Sequence, residues 1–231
     1  MKLARQRWNL LTGKTKIMKD IAIFGAGGFG REVASIIVAA NQKTPKWKII
    51  GFFDDGVEKG TQVSHYGKVL GGMDELNDWK TSLDLAIAIG TPSTLKNVVE
   101  RITNSNVSFP NVIHPDFLLN DPETFTIGKG NIINRGCSCS CDVTIGNFNV
   151  VNSNIGFGHD DKVGNYNVFM PSVGISGEVT FGDCNLIGVG AIILQQIKIG
   201  SNVRLGAGAV LMTKPKDDNT YIGNPAKIFK Y

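Results

Sequence analysis

An apolar residue at every sixth position, kept without a gap from Ile127 to Leu211, constrains this chain more than any other feature. The row runs through Ile133, Cys139, Ile145, Val151, Phe157 and Val163 and continues to Ile199 and Leu205. Helices repeat every ~3.6 residues and strands every ~2, so neither generates such a row. A second period, of eighteen, is carried by Gly128, Gly146, Gly164, Gly182 and Gly200. Three six-residue edges thus make one turn of a triangular coil. Each turn buries its apolar corners only by stacking on the next. The expected architecture is a left-handed parallel β-helix, with coils about 4.8 Å apart and residues eighteen apart lying over one another.

Composition narrows the rest. At 231 residues and 42% hydrophobic, the chain has room for two modest domains of ordinary soluble type. No apolar run is long enough to span a membrane. The formal charge of +4 is concentrated at the start, because residues 1–19 hold six basic groups and no acid. The remainder has 18 basic and 20 acidic residues, which leaves no basic face for nucleic acid. Residues 1–18 lack a signal-like core and read as a flexible basic extension. Cys137, Cys139, Cys141 and Cys184 do not follow Cys-x-x-Cys spacing; they read as small side chains filling a coil, Cys139 pointing inward, in a reducing cytoplasm. Of His65, His114 and His159, only His159 lies in the coils, so a three-histidine zinc site cannot be assembled there, and no metal is expected.

Residues 19–110 read as a small Rossmann-like domain and residues 111–231 as the β-helix with a C-terminal cap. The apolar strand Ile21–Phe24 runs into Gly25-Ala-Gly-Gly-Phe-Gly30 and then into a helical stretch. A second strand ends at Asp54-Asp55, and a third ends at Gly90 before another helix. Glycines let a backbone approach a diphosphate, and a helix N-terminus supplies free N–H groups and partial positive charge. A dehydrogenase would place Asp54 or Asp55 on a cofactor ribose, yet the chain has no evident domain for a hydride acceptor. A nucleotide-linked sugar uses the same two devices. The plain alternative is that the glycines serve packing alone.

His159 falls two positions after inward Phe157 and precedes Asp160 and Asp161, so its side chain is expected to leave the coil. Acyl transfer from a thioester needs a base that accepts the nucleophile's proton, and histidine beside a carboxylate suits that task. Eighteen residues on stands Gly177, a candidate whose bare N–H would face the thioester oxygen and stabilise an oxyanion, with the needs of a tight turn as the plain alternative. His65 reads as a surface residue and His114 as part of a linker.

The segments GAGGFGREV, FFDDG, AIAIG, the linker VIHP at 112–115, FGHD at 157–160 and IGNPAK at 222–227 together resemble one family. It is that of the hexapeptide-repeat sialic acid O-acetyltransferases and nucleotide-amino-sugar N-acetyltransferases of bacterial glycan pathways. The resemblance implies an acetyl-CoA-dependent acetyltransferase with His159 as general base beside Asp160. It implies sugar-nucleotide contacts from Gly27, Gly28, Phe29, Asp54, Asp55 and Gly90. It places Val189 and Ala207 beside the pantetheine arm; separately, Lys214, Lys216 and Lys227 are candidates for the cofactor phosphates, with solvated tail lysines as the plain alternative. A homotrimer is implied, His159 of one subunit facing a neighbour's coil. Two departures stand out: Phe29 where many relatives have histidine, and Val168 where many carry a second histidine nine residues after the base. Whether an amine or a hydroxyl is acetylated stays open. A serine O-acetyltransferase would leave the first domain unexplained, and a non-catalytic nucleotide-sugar-binding trimer would leave His159-Asp160 unexplained. The last segment, IGNPAKIFKY, is expected to cover the final coil edge.

Overall fold

The computed structural model describes residues 18–230. Of the basic extension only Met18 falls within that range.

Strand β1 (Lys19–Phe24) is fully buried from Ile21 onward, as the centre of a parallel sheet requires. Helix α1 (Gly28–Lys43) follows and buries Val33, Ala34, Ile36 and Ile37, one stripe of its surface. Strands β2 (Trp47–Phe53), β3 (Gln62–Val63), β4 (Gly67–Gly71), β5 (Leu83–Ile87) and β6 (Val107–Ser108) complete a sheet of order β3-β4-β2-β1-β5-β6. All neighbours are parallel except the β3-β4 hairpin, which the sequence did not announce. The short helix α2 (Met73–Asn77) was likewise not anticipated. Helix α3 (Pro92–Arg101) starts on a proline whose missing N–H costs nothing there. From β1 the chain moves to β2 on one side and β5 lies on the other. A crevice therefore opens at the carboxyl ends of β1 and β5, the place where such sheets bind ligands.

The left-handed parallel β-helix follows, as three parallel sheets forming the faces of a triangular prism. One face stacks strands from Val112–Ile113 through Val150–Val151 to Thr220–Ile222. The second runs from Leu118–Leu119 to Val210–Leu211, and the third from Thr126–Ile127 to Lys198–Ile199. From the second coil the registers are eighteen residues apart, such as Ile133 beside Val151 and Ile145 beside Val163, until the last rung, where Leu205 meets Tyr221 at sixteen. The six-residue row forms the core, with Phe157, Phe169 and Phe181 in successive edge-to-face contacts at 5.5 and 5.0 Å.

VIHP is not a linker: Val112–Ile113 is the first rung, paired with Ile132–Ile133. This coil escapes the period because Leu119 and Ile127 are eight residues apart, two more than elsewhere. The expected closure by the C-terminus is present. Thr220–Ile222 adds the last rung, Lys227–Ile228 folds back antiparallel on it, and the Ala226 N–H donates to the Val210 carbonyl at 2.8 Å.

Three further structural rows lie among the repeats. A second inward row, including Val143, Ile155, Val173 and Val179, lines the corners. Asn131, Asn149, Asn167 and Asn185, all 0% exposed, form a ladder in which each Oδ1 accepts the backbone and side-chain N–H of the next, at 2.8–3.1 Å. That pairing is what makes a buried amide tolerable. Finally, the corners turn through left-handed residues such as Asp142, Phe148, Asn154, Asp160 and Tyr166, with φ of 54–62°.

The two domains share their cores. Val112 and Ile132 pack among the residues of β1 and α1, while Val150 and Val168 join the cluster of β5 and α3. The first face of the coil is therefore covered by the chain's own first domain.

Candidate active site

His159 stands at the corner between the second and third faces, after Gly156–Phe157 and before Lys162–Val163. The left-handed turn at Asp160 (φ 61°) swings its carboxylate onto the imidazole, with Nδ1 and Oδ2 2.8 Å apart. An Nδ1–H donated to Asp160 leaves the Nε2 lone pair free, the tautomer a base needs. The hydrogen bond to Asp160, with added field from Asp160, Glu178 and Asp161, holds the imidazole pKa above its ordinary value. Both side chains are more than half exposed.

The coil above supplies the second half of the site. The Glu178 N–H donates to the His159 carbonyl at 2.8 Å, which places Gly177 against the ring. A Cβ on Gly177 would come within 2.5 Å of Nε2. Among the described residues the Gly177 N–H has no acceptor. A cavity of about 300 Å³ lined by Asp160, Lys162, Glu178 and Thr180 opens beside it. Beneath this corner lies Asp161, fully buried and accepting the Gly158 and Val179 N–H groups at 2.8 Å each. Sequence reading noted its charge but not its place; the signal was a carboxylate in an inward row otherwise filled by Val143, Val179 and Ile197.

In the first domain the glycines divide by role. A Cβ on Gly25 would strike the Ala88 carbonyl oxygen at 2.7 Å, and one on Gly30 would collide with the Gly25 carbonyl oxygen. These two serve packing. A Cβ on Gly27 would meet nothing within 4 Å and one on Gly28 only the tip of Arg31 at 3.8 Å, so their backbone is open to a ligand at the start of α1. Asp54 ties this turn down: Oδ2 accepts the Ala26 N–H and Oδ1 the Gly56 N–H, both at 2.8 Å. Asp55 accepts the Met73 N–H and pairs with Arg101 at 3.2 Å. Both aspartates line a cavity of about 530 Å³ with Lys59 and Arg101.

Phe29 and Gly90 line one cavity of about 310 Å³ with Glu32, Val150, Asn152, Met170 and Pro171. This pocket joins the two domains. Val189 and Ala207 stack above Pro171 on the same corner of the coil, through the Gly190 N–H to Pro171 and the Gly208 N–H to Val189. Val189 is 47% exposed. Within one chain, then, Phe29, Gly90 and the Val189 column share one region, while His159 and Gly177 occupy another corner, with the second face between them. Val168 is buried against the first domain, on the face opposite the His159 corner. Lys214, Lys216 and Lys227 lie in the closing segment beyond the last complete coil.

Residues 20–102 match the PglD N-terminal domain family. The acetyltransferase domain of PglB from Neisseria gonorrhoeae, solved with acetyl coenzyme A, is 27% identical, with a TM-score of 0.70 over 92% of this chain and 100% of that one. WeeI from Acinetobacter baumannii AYE is 26% identical, with a TM-score of 0.78 over 92% of this chain and 100% of that one. PerB from Caulobacter crescentus, solved with CoA and GDP-perosamine, shares the fold at 24% identity, with a TM-score of 0.81 over 93% of this chain and 99% of that one. No curated protein sequence matches the chain. Residues 20–102 thus carry a PglD N-terminal domain, and the two-domain fold as a whole is similar to the acetyltransferase domain of PglB.

Proposed function

We propose that this protein transfers the acetyl group of acetyl-CoA to an amino or hydroxyl group of a nucleotide-linked sugar in surface-glycan synthesis. The observation that carries the reading is the His159 corner, an imidazole oriented by Asp160 with its free Nε2 over the backbone of Gly177. The acceptor gives its proton to Nε2 as it attacks the thioester carbonyl. The Gly177 N–H receives the oxyanion, and collapse expels the CoA thiolate, which takes the proton from His159. The first domain, residues 19–110, holds the sugar nucleotide, with the diphosphate at Gly27 and Gly28 and the sugar toward Phe29 and Gly90. Asp54 acts by fixing the turn as well as by lining the cavity.

The separation of corners supports a homotrimer. The Phe29 pocket and the Val189–Ala207 column lie away from the His159 corner of the same chain. A neighbour's His159 brings the base to them, so each site takes residues from two copies. The coincidence of CoA and GDP-perosamine in PerB supports the fold's capacity to hold both substrates. We place the enzyme in the cytoplasm, where Cys137, Cys139, Cys141 and Cys184 remain free thiols.

The test is thiol release from acetyl-CoA against a panel of nucleotide-linked amino sugars, free sialic acid and serine, with His159→Ala in parallel. Release with a nucleotide sugar, lost in the variant, supports the reading. Release with serine alone, or undiminished release by His159→Ala, overturns it.

A further inference from the structure

The inward row at the His159 corner reads Val143, Asp161, Val179 and Ile197. All four are 5% exposed or less, yet one is a carboxylate. Burying a carboxylate is costly unless hydrogen bonds compensate, so its partners show what it is there to hold. Oδ2 accepts the N–H of Gly158, the residue before His159. Oδ1 accepts the N–H of Val179, two residues beyond Gly177. One side chain thus grips both backbone segments of the site.

The strand ladder is interrupted at the same place. Along the second face Ser140, Ser176 and Leu194 each donate their N–H to a carbonyl one coil away, at 3.1 Å. Gly158 occupies the equivalent position, but its N–H goes to Asp161. Correspondingly, the strands there pair only at Gly156 and Gly174, whereas the other rungs of that face pair at both residues. The carboxylate has replaced a ladder bond beside the base.

We propose that Asp161 is a positioning residue whose carboxylate, in place of the strand ladder, sets the spacing between the His159 imidazole and the Gly177 N–H. This rests on the reading of His159 as the base. Both partners are donors, so only the ionised carboxylate satisfies them; a neutral acid turns a hydroxyl toward one N–H and releases it. Burial lifts the Asp161 pKa to about 7, which brings that release near neutrality. The charged and titratable groups around it are His159 and Asp160 on its own corner, the Cys139 thiol within the core, and Glu178 facing His159 from the next coil.

The experiment pairs kinetics of the wild type, His159→Ala, Asp161→Asn and Asp161→Val with a pH titration of the Gly158 and Val179 amide resonances in 15N-labelled wild type. The amide pair is expected to shift together with one midpoint. Asp161→Asn keeps shape but offers one acceptor to two donors, and Asp161→Val restores the apolar residue of the other coils. Both are expected to lose kcat by about tenfold to a hundredfold, the cost of misplaced groups, with the KM for acetyl-CoA within about twofold. Amides that titrate independently, or variants with full kcat beside an inactive His159→Ala, overturn the positioning role alone. An active His159→Ala overturns the base assignment instead, while the amide titration still reports on the grip of Asp161.

Discussion

Gly177 lies against the imidazole of His159 so closely that a single methyl on its Cα would overlap Nε2. Gly177→Ala is therefore expected to push the ring aside. We expect kcat to fall by about tenfold to a hundredfold, as for other small misplacements of a reacting group. The dissociation constant of acetyl-CoA, measured by calorimetry, should change little.

The pH profile should carry the mark of Asp160. Its hydrogen bond raises the His159 pKa, so the imidazole stays protonated, and inactive as a base, to higher pH than a free histidine. With chemistry limiting, kcat should rise with pH through a midpoint above the ordinary value of about 6.5. Asp160→Asn should move that midpoint down while lowering the plateau. A midpoint unmoved by the substitution would separate the two residues.

Stability should respond to Asp161 with the opposite sign from most carboxylates. Its pKa is higher in the folded protein than in the unfolded chain, so the folded state binds the extra proton between about 4 and about 7. Its contribution to stability is greatest below that window and is lost as pH rises through about 7. Asp161→Val should accordingly gain in melting temperature relative to wild type as pH is raised from 5 to 8.

The glycine turn offers a paired test. Gly30→Ala drives a methyl into the Gly25 carbonyl oxygen and should cost about 1–3 kcal/mol by denaturant unfolding. Gly27→Ala meets open space and should leave stability nearly unchanged. If the diphosphate sits there, the same variant weakens sugar-nucleotide binding, measured by calorimetry.

Asn167→Ala tests the buried ladder. It deprives the Asn185 N–H and Nδ2 of their acceptor in a fully buried corner. An unsatisfied buried donor costs about 1–3 kcal/mol, so two lost partners should lower the unfolding free energy by at least that much.

The coil was legible because its inward row needs bulk at a fixed interval, and Ile133, Val151 and Phe169 announce it however the other positions vary. The first coil was hidden by two extra residues between Leu119 and Ile127, which shift phase without disturbing the rungs. The strand–turn–helix order gave the first domain, but hydropathy does not separate Gly25 and Gly30 from Gly27 and Gly28. Only the carbonyl oxygens of Ala88 and Gly25, brought close by the fold, divide them. His159 and Asp160 stood out as the one histidine of the coils with a carboxylate beside it, and stacking arithmetic led from His159 to Gly177 because these two coils keep the register of eighteen. Asp161 was visible as a charge but not as a buried one, since that requires knowing that its row also faces inward.

The left-handed corner residues have a consequence for how this protein can change. Each rung is fixed by hydrogen bonds to the rung above, not by the number of residues in the turn between faces. The first coil already demonstrates this, taking two extra residues after Leu119 while Ile127 still meets Ile145. Corner length is thus uncoupled from rung spacing. A loop grafted at an exposed corner such as Asn154 should leave every coil above it in register, making the corners the natural points of insertion for a tag or a specificity loop.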